Sequence, residues 1–241
     1  MKYKILALAL PLVISLAGLW VIPKPQQPTT GTKTVPGKLP KRVVEVNDFP
    51  VVEFSAPEPT DSKRRARAER HDKSPWNVNP NASSDTTVSV DYVDFNLPAL
   101  PIDKAAAIVI GTVTHAQAYL SNDKTGVFSA FVVSVDEVLK NSGNVAVGTS
   151  IEAEREGGRV RFQSGRVHLY MISEQAMPRM GGHYVLFLAE TNDQSVFEII
   201  TGYEIREGSV YALDDLPQTR SRENIPAADF LSELRVKLAD R

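Results

Sequence analysis

The stretch VFSAFVVSVDEVL at Val127–Leu139 decides how this chain folds. It is rich in β-branched and aromatic residues, and its centre at Phe131–Val133 is apolar on both faces of an extended chain. This pattern is expected for a strand that bends through the wall of a barrel. A second strand is predicted at Ala106–Ala118, and the polar residues 121–126 between the two strands predict a hairpin loop.

Further strands and one helix are predicted on either side of this hairpin. Short apolar runs bounded by Gly, Pro, Asn or Asp indicate strands at Val88–Phe95, His183–Leu188, Phe197–Glu204 and Ser209–Leu213. His183–Leu188 is the most apolar, and we expect it to form the central wall of the core. Pro226–Ala239 predicts a helix with Asn224 as its N-cap. Its apolar stripe is expected to cover one end of a barrel rather than to recruit a partner, and consists of Phe230, Leu231, Leu234 and Leu238.

Two tight-turn signals, Gly157-Gly158 and Ser164-Gly165, divide Thr149–Tyr170 into three short strands. Two-residue turns fix the register of the strands that they join. The predicted meander therefore has an apolar face of Ile151, Ala153, Val160, Phe162, Val167 and Leu169. Its polar face contains Glu152, Glu154, Glu156, Arg159, Arg161, Gln163, Arg166, His168 and Tyr170. Arg155 alone falls on the wrong face, and we expect it to reach out at the sheet edge.

The polar face supplies the candidate ligand-binding residues, which are Arg159, Arg161, Arg166, His168 and Tyr170. Cationic side chains of this kind bind carboxylates or phosphates, and a tyrosine ring can stack on a sugar or an arginine. The alternative is a solvated outer face. In the predicted register Glu154 lies opposite Arg161 and Glu156 lies opposite Arg159, so cross-strand ion pairs would occupy the arginines.

The amino-terminal segment predicts export. Lys2 and Lys4 precede an apolar run at Ile5–Ile22, and Ser15 and Ala17 supply the small residues of a cleavage site. The whole run approaches the length that spans a bilayer, so a cleaved signal peptide and an uncleaved membrane anchor both remain open. Export is the favoured interpretation, and it places the rest of the protein in the periplasm or secreted. Lysine and arginine residues lie on both sides of the run, so the orientation of an uncleaved anchor stays open.

Residues 23–87 predict a flexible linker. Eight of the sixteen prolines lie between Pro23 and Pro59, among polar residues that bury too little apolar surface to fold. As an alternative, the apolar residues of Val43–Phe54 form a short strand that docks on the domain or on a partner. The basic run Lys63–Arg70 is interpreted either as a solvated linker or as a contact for anionic lipid or polymer.

Composition excludes several classes of site. The chain has 241 residues, a formal net charge of -2 and no cysteine, which excludes disulfides and thiolate metal sites and disfavours nucleic acid as a partner. Ser121-x-x-Lys124 and Lys124-Thr125-Gly126 match short elements of penicillin-recognising enzymes, but they share one lysine and fit a hairpin loop better. The histidines have no close metal-binding spacing and are His71, His115, His168 and His183. No metal and no cofactor are therefore predicted.

Several short motifs occur in an order that resembles a group of uncharacterised exported bacterial proteins. These motifs are Ala107–Val113 (AIVIGTV), Val135–Lys140 (VDEVLK), Gly157-Gly158, Met177-Pro178 and Gly181–Leu188 (GGHYVLFL). Their pattern is in turn similar to the netrin-like or tissue-inhibitor-of-metalloproteinase module. The resemblance covers about residues 104–213 and implies a five-stranded barrel of the OB type. Because this chain has no cysteine, the inhibitory residues of the animal proteins have no counterpart here.

The sequence thus predicts three parts: a signal peptide or anchor at 1–22, a linker at 23–87, and a mainly β domain at 88–241. The domain is expected to be an OB-like antiparallel barrel of five to six strands with a carboxy-terminal helix. The favoured function is a non-catalytic binding module of the cell envelope, with an envelope protein, an anionic polymer or a glycan as partner. The alternatives are an envelope enzyme with a carboxylate or histidine site, and a structural subunit that pairs through a sheet edge. Membrane contact is expected through residues 5–22 and the basic run 63–70.

Overall fold

Long strands dominate the structure, a computed structural model that describes residues 45–81, 84–91, 94–143, 146–192 and 196–240. The predicted signal or anchor and the first part of the predicted linker lie outside these residues. The fold is mainly β with a carboxy-terminal helix, as predicted. No helix within the described ranges is both long and apolar enough to cross a membrane.

Ten strands and three α-helices make up the described part of the chain. The strands are β1 (Val51–Glu53), β2 (Thr86–Val90), β3 (Ala107–Leu120), β4 (Val127–Asn141), β5 (Ser150–Glu156), β6 (Gly158–Arg161), β7 (Val167–Ile172), β8 (His183–Glu190), β9 (Phe197–Arg206) and β10 (Ser209–Ala212). The helices are α1 (Ser62–Glu69), α2 (Pro217–Arg220) and α3 (Ala227–Ala239). The hairpin of β3 and β4 and the hairpin of β9 and β10 are confirmed.

The larger sheet has six strands in the order β10-β9-β5-β4-β3-β8. Strand β8 also pairs with β9. The pairings therefore form a cycle in which each member pairs with two others, and its members are β3, β4, β5, β9 and β8. Four of these five pairings are antiparallel. The fifth, between β5 and β9, is parallel and short, and joins Ala153 to Phe197 and Glu154 to Glu198.

Apolar side chains cover both sides of these five strands, and we call the cluster on one side the inner core and the opposite side the outer side. The inner core includes Val109, Phe131, Ile151, Ala153, Leu186 and Ile199. On the outer side, Phe230 and Leu234 of α3 pack against β3, β8, β9 and β10. The predicted apolar stripe therefore covers its own domain. The predicted cap is wrong, because Asn224 has a left-handed backbone (φ 62°) and Pro226 occupies the N-cap position.

The predicted three-stranded meander is wrong, because its strands belong to two sheets. Strand β5 pairs with β4 and β9 in the larger sheet. Strands β6 and β7 instead form the middle of a four-stranded sheet in the order β1-β6-β7-β2. Gly157 (φ 109°) lies between the two sheets, where its backbone donates to Val127 O. The glycine pair thus ends one sheet and begins the other instead of forming a two-residue hairpin.

The register of the β6–β7 hairpin also differs from the prediction by one residue. Arg159 lies opposite Leu169, and Arg161 lies opposite Val167. Phe162 N donates to Arg166 O, so the loop has three residues and Gly165 (φ 82°) is the last of them. Glycine is favoured at this left-handed position of a three-residue loop. The extra loop residue shifts the register, and a one-residue shift moves side chains to the opposite face.

The predicted linker is wrong for its described part, residues 45–81 and 84–87. Strand β1 pairs in parallel with β6, and β2 pairs in parallel with β7. Phe49 is fully buried in the inner core, and Trp76 and Val78 join Val160, Phe162 and Tyr170 in another apolar cluster. The alternative of a docking strand within Val43–Phe54 is confirmed for Val51–Glu53. Proline-rich composition concealed a segment that buries Phe49, Trp76 and Val78 against the domain.

We predict that Trp76→Ala lowers the free energy of unfolding by about 3 to 5 kcal/mol, as expected for removal of a buried aromatic side chain. Phe95→Ala is the matched control, because Phe95 is 63% exposed whereas Trp76 is 6% exposed. Urea unfolding of both variants measures the difference. An unchanged free energy in Trp76→Ala would show that this segment does not pack on the domain.

Candidate functional site

The structure separates the five predicted ligand-binding residues. Arg159 is paired with Leu169 and Arg161 with Val167, so the two arginines share one face of the sheet with these residues. His168 and Tyr170 alternate with Val167 and Leu169 along β7 and therefore lie on the opposite face. His168 and Tyr170 are each only 1% exposed, and they belong to the packed interior.

The three arginines of the predicted site have different surroundings. Arg161 forms an exposed ion pair with Glu53 at 2.8 Å. Arg159 Nε donates to the carbonyl oxygen of Phe49 at 2.7 Å. Arg166 lies between the hairpin loop and β7 and is half-buried. The predicted polar face is therefore not formed, and the site must be sought elsewhere.

The main cluster of charged side chains lies between α1 and β5. Helix α1 begins after Asp61, whose side chain accepts a hydrogen bond from Lys63 N at 3.1 Å, and it contains good helix formers. Arg67 pairs with Glu152 and Arg70 pairs with Glu154. We call Glu152, Glu154 and Glu156 the β5 carboxylate ladder, since alternate residues of a strand lie on one face.

Glu154 is the buried centre of this cluster. Its side chain is 4% exposed, and it contacts Arg70, Arg67 and His71. A buried carboxylate is costly unless it is paired, and its removal takes away the carboxylate that Arg67 and Arg70 share. The basic run that the sequence presents as solvated or lipid-binding is therefore partly used within the fold, since Arg67 and Arg70 hold α1 on β5.

His71 follows α1 and completes the cluster. Its ring stacks on Phe128 with 4.2 Å between ring centroids. Nδ1 lies 3.5 Å from Glu156 Oε1, and Nε2 lies 4.0 Å from Glu154 Oε2. Burial alone would lower the pKa of His71, but the two nearby carboxylates outweigh burial and raise the pKa above its ordinary value of 6.5. Protonation of His71 therefore strengthens its attachment to β5.

A groove runs between α1 and the outer side of β3, β4 and β5, with a volume of about 270 Å³. We call it the α1 groove. Its polar lining comes from Arg64 of α1, from His115, Gln117 and Tyr119 of β3, and from Glu152 of β5. Arg64 lies over the Tyr119 ring, 4.8 Å from its centroid, and the Tyr119 hydroxyl donates to Gln117 Oε1 at 3.0 Å. The groove thus combines an aromatic ring with exposed hydrogen-bonding groups.

The prediction that Arg155 reaches out at a sheet edge is wrong. Arg155 is 2% exposed and forms an ion pair at 2.8 Å with Asp214, which is 1% exposed. Its guanidinium also donates to the carbonyl oxygens of Ala176 and Ile200. Arg155 thus connects β5 to the loop before β8, to β9 and to the segment after β10. The position of Arg155 on the apolar face of β5 was predicted correctly, but its buried ion pair with Asp214 was not predicted.

The other candidates for chemistry have ordinary surroundings. His183 is paired with Asp136 at 3.1 Å, and both side chains are largely exposed. Ser121 and Lys124 lie in the β3–β4 hairpin loop, as predicted, where Ser121 Oγ donates to Asp123 Oδ1 and Lys124 Nζ donates to Phe54 O. Among the residues with a described position, no group of three or more histidine and acidic side chains is arranged to hold a metal ion.

We expect Glu154→Gln to lower the free energy of unfolding by about 3 kcal/mol, because it leaves the partly buried Arg67 and Arg70 without their shared carboxylate. Glu53→Gln is the matched control. It also removes one carboxylate from an arginine, but in a pair whose side chains are about half exposed, and we expect a loss of about 0 to 1 kcal/mol. Chemical denaturation distinguishes the two. Equal losses would contradict a buried central role for Glu154.

The raised pKa of His71 makes stability depend on pH. Because the folded state holds the proton more tightly than the unfolded chain, the stabilisation is fully present below pH 6.5 and is lost as pH rises through the raised pKa. The wild type should therefore lose more unfolding free energy than His71→Gln as pH increases from about 6 to about 8. Unfolding curves across this range measure the difference. Parallel pH profiles for the two proteins would rule out the coupling.

Sequence reasoning missed the α1–β5 cluster, although two signals for it were present. Glutamate alternates at positions 152, 154 and 156, which places three carboxylates on one face of a strand. Arg70 and His71 follow Arg67 by three and four residues, which is the spacing of one face of a helix. Neither pattern indicates that the glutamates of β5 and the basic residues of α1 contact each other. The chain matches no protein-family model, and no curated protein matches it at a significant level of sequence similarity.

Proposed function

We propose that this protein is an exported, non-catalytic binding module of the cell envelope, and that it holds a glycan in the α1 groove. The observation that carries this proposal is the exposed lining of the groove. Tyr119, Gln117 and His115 of β3 share one face of the sheet with Glu152 of β5, and β4 lies between the two strands. Aromatic rings and hydrogen-bonding side chains at fixed positions suit the alternating apolar and hydroxyl-bearing surfaces of a sugar.

The strand pairings support an OB-type barrel as the scaffold. The cycle through β3, β4, β5, β9 and β8 contains five strands, with its parallel pair between the third and the fifth in chain order. OB-type domains bind oligosaccharides and oligonucleotides on the face of their second and third strands. In this chain those strands correspond to β4 and β5, which the α1 groove crosses. The net charge of -2 favours a glycan over a nucleic acid.

The charges beside the groove favour binding over catalysis. Arg67 and Arg70 are engaged by Glu152 and Glu154, and His71 lies between Glu154 and Glu156. These groups hold α1 in place, and a groove with fixed walls loses little entropy when a ligand binds. Arg67, Glu152 and Glu154 line the groove, but each is held in an ion pair instead of standing free to act as a general acid or base. The amino-terminal run at Ile5–Ile22 supports export to the envelope, where glycans are abundant.

Titration with chitotetraose and with a soluble peptidoglycan fragment tests the proposal. We expect at least one of the two to bind and to shift the backbone amide signals of β3 and β5 in NMR spectra. The double variant Gln117→Ala, Tyr119→Ala should weaken binding about tenfold or more, since it removes a stacking ring and an amide. His183→Ala is the control, because it removes an exposed histidine that does not line the groove.

Three outcomes would overturn the proposal. The first is that neither glycan binds at a concentration of about 10 mM. The second is that the double variant binds as tightly as the wild type. The third is that the shifted amides lie away from the α1 groove.

A further inference from the structure

A second cleft lies beside the short parallel pairing of β5 and β9, with a volume of about 500 Å³. We call it the β9 cleft. It shares none of its lining residues with the α1 groove. Much of its wall is apolar and comes from separate segments of the chain, through Leu97, Ile172, Ile199 and Leu216. The volume falls within the range of about 300 to 1,000 Å³ that is usual for small-molecule sites.

The charged residues of the β9 cleft are predominantly acidic. Four carboxylates line it, from Asp94, Glu156, Glu198 and Asp214, against the two cations Lys104 and Arg155. Lys104 pairs with Asp94, and Arg155 pairs with Asp214. Glu156 and Glu198 therefore provide the excess of negative charge. Glu156 also lies near His71, so Glu198 is the carboxylate that is specific to this cleft.

Asp214 provides an independent sign of a ligand. It is 1% exposed, and its Oδ2 accepts a hydrogen bond from Arg155. Its other oxygen, Oδ1, is buried and makes no hydrogen bond within the described part of the chain. Burial of a carboxylate oxygen without a hydrogen bond costs folding free energy, and a cation bound near Asp214 Oδ1 would reduce that cost. Asp214 thus adds a free acceptor atom to the cleft, whereas its charge is balanced by Arg155.

We propose that the β9 cleft binds a small amphiphilic amine, a molecule with one ammonium group on a hydrocarbon body of about six to ten carbon atoms. The ammonium group lies on the acidic side, near Glu198 and above Asp214. The hydrocarbon body packs against Ile172, Ile199 and Leu216. A carboxylate of the same shape is excluded, because it meets the negative charge of Glu198 in a partly desolvated cleft.

Three probes of matched shape test this inference on the full-length protein, and they are hexylammonium, hexanol and hexanoate. We expect hexylammonium to bind most tightly and to shift the backbone amides of β9, hexanol to bind more weakly, and hexanoate not to bind. Glu198→Gln should weaken hexylammonium about fivefold and leave hexanol nearly unchanged, because Glu198 is exposed and its loss does not disturb the core. Glu58→Gln removes an exposed carboxylate that does not line the cleft and serves as the control.

A cleft-filling variant, Ala189→Phe, keeps the inference falsifiable if Glu198→Gln has a small effect. The new ring occupies the cleft, so it should abolish the amide shifts for both hexylammonium and hexanol, while the rest of the spectrum shows a folded protein. The inference is overturned if hexanol or hexanoate binds as tightly as hexylammonium, if the shifts lie outside the cleft, or if hexylammonium does not bind at about 20 mM.

Discussion

The ion pairs between α1 and the β5 carboxylate ladder are the interaction on which the rest of the molecule depends. Glu154 is almost fully buried, and such a carboxylate is tolerated only while its cations remain in place. Arg67, Arg70 and His71 therefore hold the amino-terminal segment on the outer side of β5. That attachment creates one wall of the α1 groove.

The two faces of β5 contact different parts of the molecule. Its inward residues Ile151 and Ala153 belong to the inner core, and Arg155 continues the same side as a buried cation. Arg155 joins Asp214 and two backbone carbonyl groups where β5 and β9 pair over only two residue positions. The hydrogen bonds of Arg155 compensate for the small number of backbone hydrogen bonds between β5 and β9. One strand thus carries the carboxylates that attach α1 and the arginine that fixes the end of the inner core.

Sequence patterns predicted the elements whose signal is local, and they failed where the partner is distant. Val127–Leu139 and His183–Leu188 predicted β4 and β8 because both stretches are apolar enough to require burial, and the stripe on α3 was equally clear. The β6–β7 register was wrong because Gly165 ends a three-residue loop, which shifts His168 and Tyr170 into the interior. The basic run was interpreted as solvated or lipid-binding because the partner of Arg70, Glu154, is 84 residues away in the sequence. No local pattern contains that information.

Amide hydrogen exchange of residues 62–70 in the full-length protein tests this account most directly. If α1 is held on β5, its amides exchange with strong protection, and Glu154→Gln reduces that protection far more than it reduces protection in α3. Exchange of residues 62–70 at the rate of an unstructured chain would contradict the account. It would show that the basic segment is a solvated linker and that the α1 groove has no fixed wall.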